Sequence, residues 1–120
     1  RLGVAVCYDL RFPELFRLML DDGMELLALP AAFTRRTGLA HWLTLLRARA
    51  IENQVAVIAA NQGGIHSARR ETSGGSCVID SWGCVIAELG FGAGIATADI
   101  DMAAQRALRQ EMPVSQHRRF

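Results

Sequence analysis

Cys7 ends an apolar run, Leu2-Gly3-Val4-Ala5-Val6-Cys7, and is followed at once by Tyr8-Asp9-Leu10-Arg11-Phe12-Pro13-Glu14. Strand, thiol, tight turn and helix start come in that order. A nucleophile on such an elbow projects from the strand end, and the backbone N–H groups of the turn and helix N-terminus point into the same space. The arrangement suits acyl transfer, because a thiolate attacks a carbonyl carbon and N–H donors stabilise the oxyanion that forms. The residues alone leave a second reading open, in which Cys7 is a small buried apolar residue on an inner strand. Asp9 and Glu14 are the nearest carboxylates that could take the thiol proton. Glu14 also suits the first turn of a helix, where the dipole favours negative charge, and Arg11 can brace such carboxylates bidentately.

The remaining reactive groups form no second centre. Cys77 and Cys84 fall inside expected hairpin strands and read as packing residues. The three cysteines make no C-x-x-C pair, which opposes a thiol redox protein and disulfide staples alike. His41, His66 and His117 show no metal-ligand spacing. All thirteen basic residues are arginine, so the chain contains no lysine. Arg35, Arg36, Arg69 and Arg70 fall in loops and read as solvated charge, with one of them able to meet a substrate carboxylate.

The elements that must position Cys7 follow from hydrophobic periodicity. Leu2 to Cys7 is apolar on both faces, the pattern of a covered inner strand. Pro13 suits the first turn of a helix over 13–22 that stops at Gly23, and a strand over 25–29 ends at Pro30. The spacing predicts a helix over 39–53, with Leu39, Leu43, Leu46 and Ala50 on one side and Arg47 and Arg49 on the other, then a strand over 55–60. Gln62 to Gly75 reads as a long surface loop. Ser76 to Asp80 and Cys84 to Glu88 read as a hairpin around Ser81-Trp82-Gly83, Ile95 to Ile100 as a last strand, and Met102 to Gln110 as a short helix. Trp42 and Trp82 read as core or interface aromatics. The succession is α/β grammar in one domain spanning 1–120.

Composition narrows the function further. A net charge of +1 gives no field for a phosphate backbone, which speaks against nucleic acid. No apolar run approaches the roughly 20 residues of a membrane span, and the first residues are too short for a signal core, so the chain reads as cytoplasmic. It opens at Arg1 and enters a strand within two residues, which suggests a cut from something longer.

The segment Val6-Cys7-Tyr8-Asp9-Leu10-Arg11-Phe12-Pro13-Glu14 resembles the nucleophile segment of the nitrilase superfamily of carbon–nitrogen hydrolases. Pro30-Ala31-Ala32-Phe33-Thr34, Gly38-Leu39-Ala40-His41-Trp42, Arg47-Ala48-Arg49-Ala50-Ile51-Glu52-Asn53-Gln54 and Asp80-Ser81-Trp82-Gly83 follow in that family's order. Pro113 to Arg119 looks like the ending of its Nit branch, leaning toward the subgroup that hydrolyses deaminated glutathione, with ω-amidases as neighbours. The resemblance implies an α-β-β-α sandwich of which this chain is the carboxy-terminal half. It also implies a thioester formed on Cys7, an oxyanion donor at the Tyr8 N–H, and a base glutamate and a lysine lying upstream of the cysteine. Only six residues precede Cys7, and none is Glu or Lys.

Under that resemblance Asp9, Arg11 and Glu14 become supports of the elbow, Ala32 and Phe33 walls of the substrate pocket, and His41 has no role. The substrate is a small linear amide bearing a carboxylate, no metal or organic cofactor is required, and copies of the whole protein pair with one another. The isolated chain is expected to be inactive and poorly soluble. Two departures bear on the substrate: Ser73-Gly74-Gly75-Ser76 stands where the branch has aromatic-Gly-His-Ser, and Ser81 stands where it has proline. A non-catalytic α/β oligomerisation module or a decayed hydrolase is the alternative.

Overall fold

A computed structural model describes residues 1–119. Two strand–helix–strand units open the chain: β1 (Leu2–Val4), α1 (Pro13–Asp21), β2 (Leu26–Ala31), a helical stretch and β3 (Ala56–Asn61). The helical stretch begins as α2 (Arg35–Thr37), widens into one π turn (Gly38–Trp42) and continues as α3 (Leu43–Asn53). Two hairpins follow, β4 (Gly63–Ser67) with β5 (Arg70–Ser73), and β6 (Cys77–Ile79) with β7 (Val85–Glu88). The chain closes on α4 (Met102–Glu111) and a 3₁₀ turn (Val114–His117).

The main sheet has the order β1-β2-β3-β6-β7. The first three strands are parallel, in the register Leu2–Leu26–Ala56, and β6 and β7 add antiparallel beyond β3. Because sheet side chains alternate, one face carries Ala5, Leu27, Leu29, Val57, Ala59 and Ile79, and Phe16 of α1 with Leu46 and Ala50 of α3 pack against them. Gly38 lets the helical stretch press on β5, since a Cβ there would collide with Ser73 Oγ. At the opposite end of the parallel strands, Gln105 of α4 is 1% exposed, accepts the Ala56 N–H at 2.8 Å and donates to Glu25 O at 2.8 Å. The other sheet face stays bare: Leu2, Val4, Val6 and Ile58 are exposed.

Five expectations need correction. β1 is an edge strand with an open apolar face rather than a covered inner strand, because no layer among the described residues packs on Leu2 and Val4. β2 does not stop at Pro30, which pairs in register with Ala60 and is exposed. The expected loop 62–75 contains the β4–β5 hairpin, docked by a Thr34–Thr72 bridge and a Ser73 N–H bond to Phe33 O at 3.0 Å. The stretch 95–100 is not a strand. It has no neighbour to pair with, and Ile95 is 87% exposed. Finally, Cys84 is exposed at the β6–β7 turn and is not a packing residue, whereas Cys77 is buried.

Candidate active site

The elbow starts where β1 runs out. After Val6 the backbone turns into a 3₁₀ helix, Cys7–Arg11, and Cys7 takes φ = +49°. A left-handed conformation at a residue with a Cβ costs on the order of 1–3 kcal/mol and persists only where its surroundings over-determine it. Here the Asp9 carboxylate accepts the Val6 N–H at 2.8 Å, and the Asp9 N–H donates to Val6 O at 3.0 Å. Phe12 then donates to Asp9 O at 3.0 Å, and Pro13 opens α1. Tyr8 lies in the first turn of the 3₁₀ helix, where a backbone N–H has no intrahelical partner and stays free to donate outward.

The half-buried Cys7 faces a cleft of about 260 Å³ lined also by Tyr8, Arg11, Ala32, Phe33, Thr34 and Thr37. The far wall comes from the segment after β2. Phe33 is 4% exposed and packs at 4.9 Å, ring centre to ring centre, on Trp42, whose indole N–H donates to Gly75 O at 2.7 Å. The Phe33 N–H is accepted by Asn61 Oδ1 at 2.9 Å, so the buried end of β3 holds the wall in place. Arg11 spans the cleft, with its guanidinium 5.3 Å from the Tyr8 ring and 5.4 Å from the Phe33 ring. His41 Nδ1 lies 3.4 Å from Arg11 Nη1.

Five of the expected residues therefore meet at one place: Cys7, Tyr8, Arg11, Ala32 and Phe33. Two do not. Asp9 is turned away to hold the Val6 N–H, and Glu14 is exposed on the first turn of α1. Arg11 does not brace Glu14. Among the described residues it belongs to no ion pair and stacks between two rings instead. Among the described residues no carboxylate or ammonium lines the cleft.

Thr34, Thr37, Asn61 and Arg49 contribute without having been singled out for the site. Arg49 is the largest departure. Helical period places it on the solvent side, yet it is 5% exposed and donates to Leu10 O from Nε at 3.1 Å and Nη2 at 2.8 Å. A buried arginine needs partners, and no local pattern names a carbonyl 39 residues away. Among the described residues no cluster of His, Cys, Asp or Glu could hold a metal ion, and no helix is long and apolar enough to cross a membrane.

A sulfur held in this way is placed to attack the carbonyl carbon of an acyl group that enters the cleft. Human deaminated glutathione amidase is 50% identical over 119 residues, covering 99% of this chain and 36% of its own length. The crystal structure of the Caenorhabditis elegans NitFhit protein superposes with a TM-score of 0.96 at 50% identity, over 99% of this chain and 29% of that one. A mutant amidase from Nesterenkonia sp. AN1, with the acetamide moiety of fluoroacetamide added covalently at its active-site cysteine, matches at a TM-score of 0.79. It is 32% identical, over 98% of this chain and 41% of that one. The chain spans 27% to 44% of the length of the curated relatives it matches. The carbon–nitrogen hydrolase family matches residues 1–110, so the chain belongs to that family.

Proposed function

We propose that these 120 residues are the carboxy-terminal half of a Nit-type amidase that hydrolyses a small, linear, carboxylate-bearing amide such as deaminated glutathione. The observation that carries this reading is the strained Cys7, with φ = +49°, beside a cleft walled by Phe33 and crossed by a guanidinium that has no carboxylate partner among the described residues. The Cys7 sulfur bonds to the amide carbon, the C–N bond breaks, and the amine leaves with the thiol proton. Water then adds to the acyl carbon, the S–C bond breaks, and the acid departs with the thiol restored. The Tyr8 N–H donates to the developing oxyanion in both steps. Arg11 receives the substrate carboxylate, for which its planar fork is suited.

Proton transfer needs a base near the sulfur, and among the described residues neither a carboxylate nor an ammonium lines the cleft. The family's glutamate and lysine come from residues beyond these 120, which hold no lysine. The bare face bearing Leu2, Val4, Val6 and Ile58 fits the second sheet of the sandwich, which supplies them. The isolated chain is therefore inactive.

The test is a rapid acid quench of the complete protein turning over deaminated glutathione, followed by peptide mapping. An acyl mass adduct on the Cys7 peptide and loss of turnover in Cys7→Ser are expected. Turnover that survives Cys7→Ser would overturn the reading.

A further inference from the structure

Arg49 lies far from the cleft in sequence and supplies no group to it, yet its side chain is committed to the elbow. Both Nε and Nη2 donate to one acceptor, Leu10 O, at 3.1 and 2.8 Å. Nη1 is held by Glu52 Oε1 at 2.8 Å, and the guanidinium sits 5.2 Å from the centre of the Phe16 ring. Three nitrogens of the fork are thus engaged, two on Leu10 O and one on Glu52. Leu10 is itself fully buried and lies in the turn that begins at Cys7.

We propose that Arg49 is a positioning residue for the Cys7 sulfur, acting through the Leu10 carbonyl. The elbow has two anchors. Upstream, Asp9 holds the Val6 N–H. Downstream, the charged fork pins the Leu10 carbonyl within the same turn. A left-handed Cys7 can relax only if one anchor gives, because the backbone on either side of it is tied. A neutral side chain or a single ammonium in place of the fork leaves Leu10 O with one bond or none, and the turn free to rotate. A sulfur displaced by about 1 Å loses reactive alignment with little change in how substrate binds, because the cleft walls at Phe33 and Arg11 are held by other contacts.

This inference rests on Cys7 being the nucleophile, and its test separates the two. In the complete protein with deaminated glutathione as probe, Cys7→Ser abolishes turnover. Arg49→Lys keeps the charge and removes the fork. Its KM stays within about twofold while kcat falls roughly 10- to 100-fold. Glu52→Gln leaves the bonds to Leu10 but replaces the charged acceptor of Nη1 with a weaker neutral one, and gives a smaller fall in kcat, about two- to fivefold, again without a change in KM.

Wild-type kcat in a folded Arg49→Lys overturns the proposal. A fall that tracks melting temperature and raises KM equally overturns it too, since that is general support of the fold. Should Arg49→Lys fail to fold, Glu52→Gln decides: unchanged kcat there refutes the role. Turnover persisting in Cys7→Ser refutes the nucleophile itself.

Discussion

Asn61 closes β3 with a buried side chain that accepts the Phe33 N–H on Oδ1 at 2.9 Å and donates from Nδ2 to Gly74 O at 2.6 Å and Ser73 Oγ at 2.9 Å. One amide thus ties the cleft wall to the hairpin that covers it. Asn61→Leu has nearly the same volume but strands the Phe33 N–H and Gly74 O in a dry site, and is expected to cost about 2–4 kcal/mol. Urea denaturation of the complete protein checks this. A loss below about 1 kcal/mol would mean that water replaces the side chain.

Cys7 offers a test of the strained elbow that does not need activity. At most positions glycine is less stable than alanine by roughly 0.5–1 kcal/mol. At φ = +49° the order inverts, because only alanine carries the Cβ that the left-handed region penalises. Cys7→Gly is therefore expected to be about 1 kcal/mol more stable than Cys7→Ala, read from paired urea melts. The usual order would show that the backbone is not left-handed there.

The two βα units were legible because their punctuation is chemical. Pro13 has no N–H to waste at a helix start, and Gly23, at φ = +86°, suits a helix exit. The elbow was legible for the same reason, as a strand end followed at once by a turn and a helix that starts on proline. The β4–β5 hairpin was not, because its glycines and charges mask alternation. What orders it is the docking of Thr72 and Ser73 on Thr34 and Phe33, a tertiary fact. Ile95 to Ile100 erred in the other direction, having strand composition without a partner. Arg49 and Asn61 escaped notice because each answers a backbone group brought near only by the fold.

The other thiols separate by environment. Burial, with a further push from Glu88, raises the Cys77 thiol from its usual 9.0 to about 11, while Cys84 is exposed. Iodoacetamide at neutral pH is expected to label Cys84 readily and Cys77 only after unfolding. The folded pKa is raised, so the unfolded chain loses its proton first as pH climbs. The stabilising preference for a buried neutral thiol is whole below pH 9 and is lost as pH rises through 11. Cys77→Ala should flatten stability against pH across that window. An unchanged slope would place the titration on another group.

Arg11 makes a prediction about substrate choice. Its guanidinium lies between the Tyr8 and Phe33 rings without a carboxylate partner among the described residues. A substrate carboxylate entering the cleft would complete a charge-assisted pair worth roughly 1.5–3 kcal/mol, or about 10- to 100-fold in KM. In the complete protein, Arg11→Met should raise KM for deaminated glutathione by that factor and spare a neutral amide of similar length. Methionine keeps the apolar stem and the packing between the rings, so the charge alone is removed. Arg11→Lys should recover only part of the loss, since an ammonium is a point charge without the planar fork. Equal losses for charged and neutral amides would show that Arg11 shapes the cleft rather than reading the carboxylate.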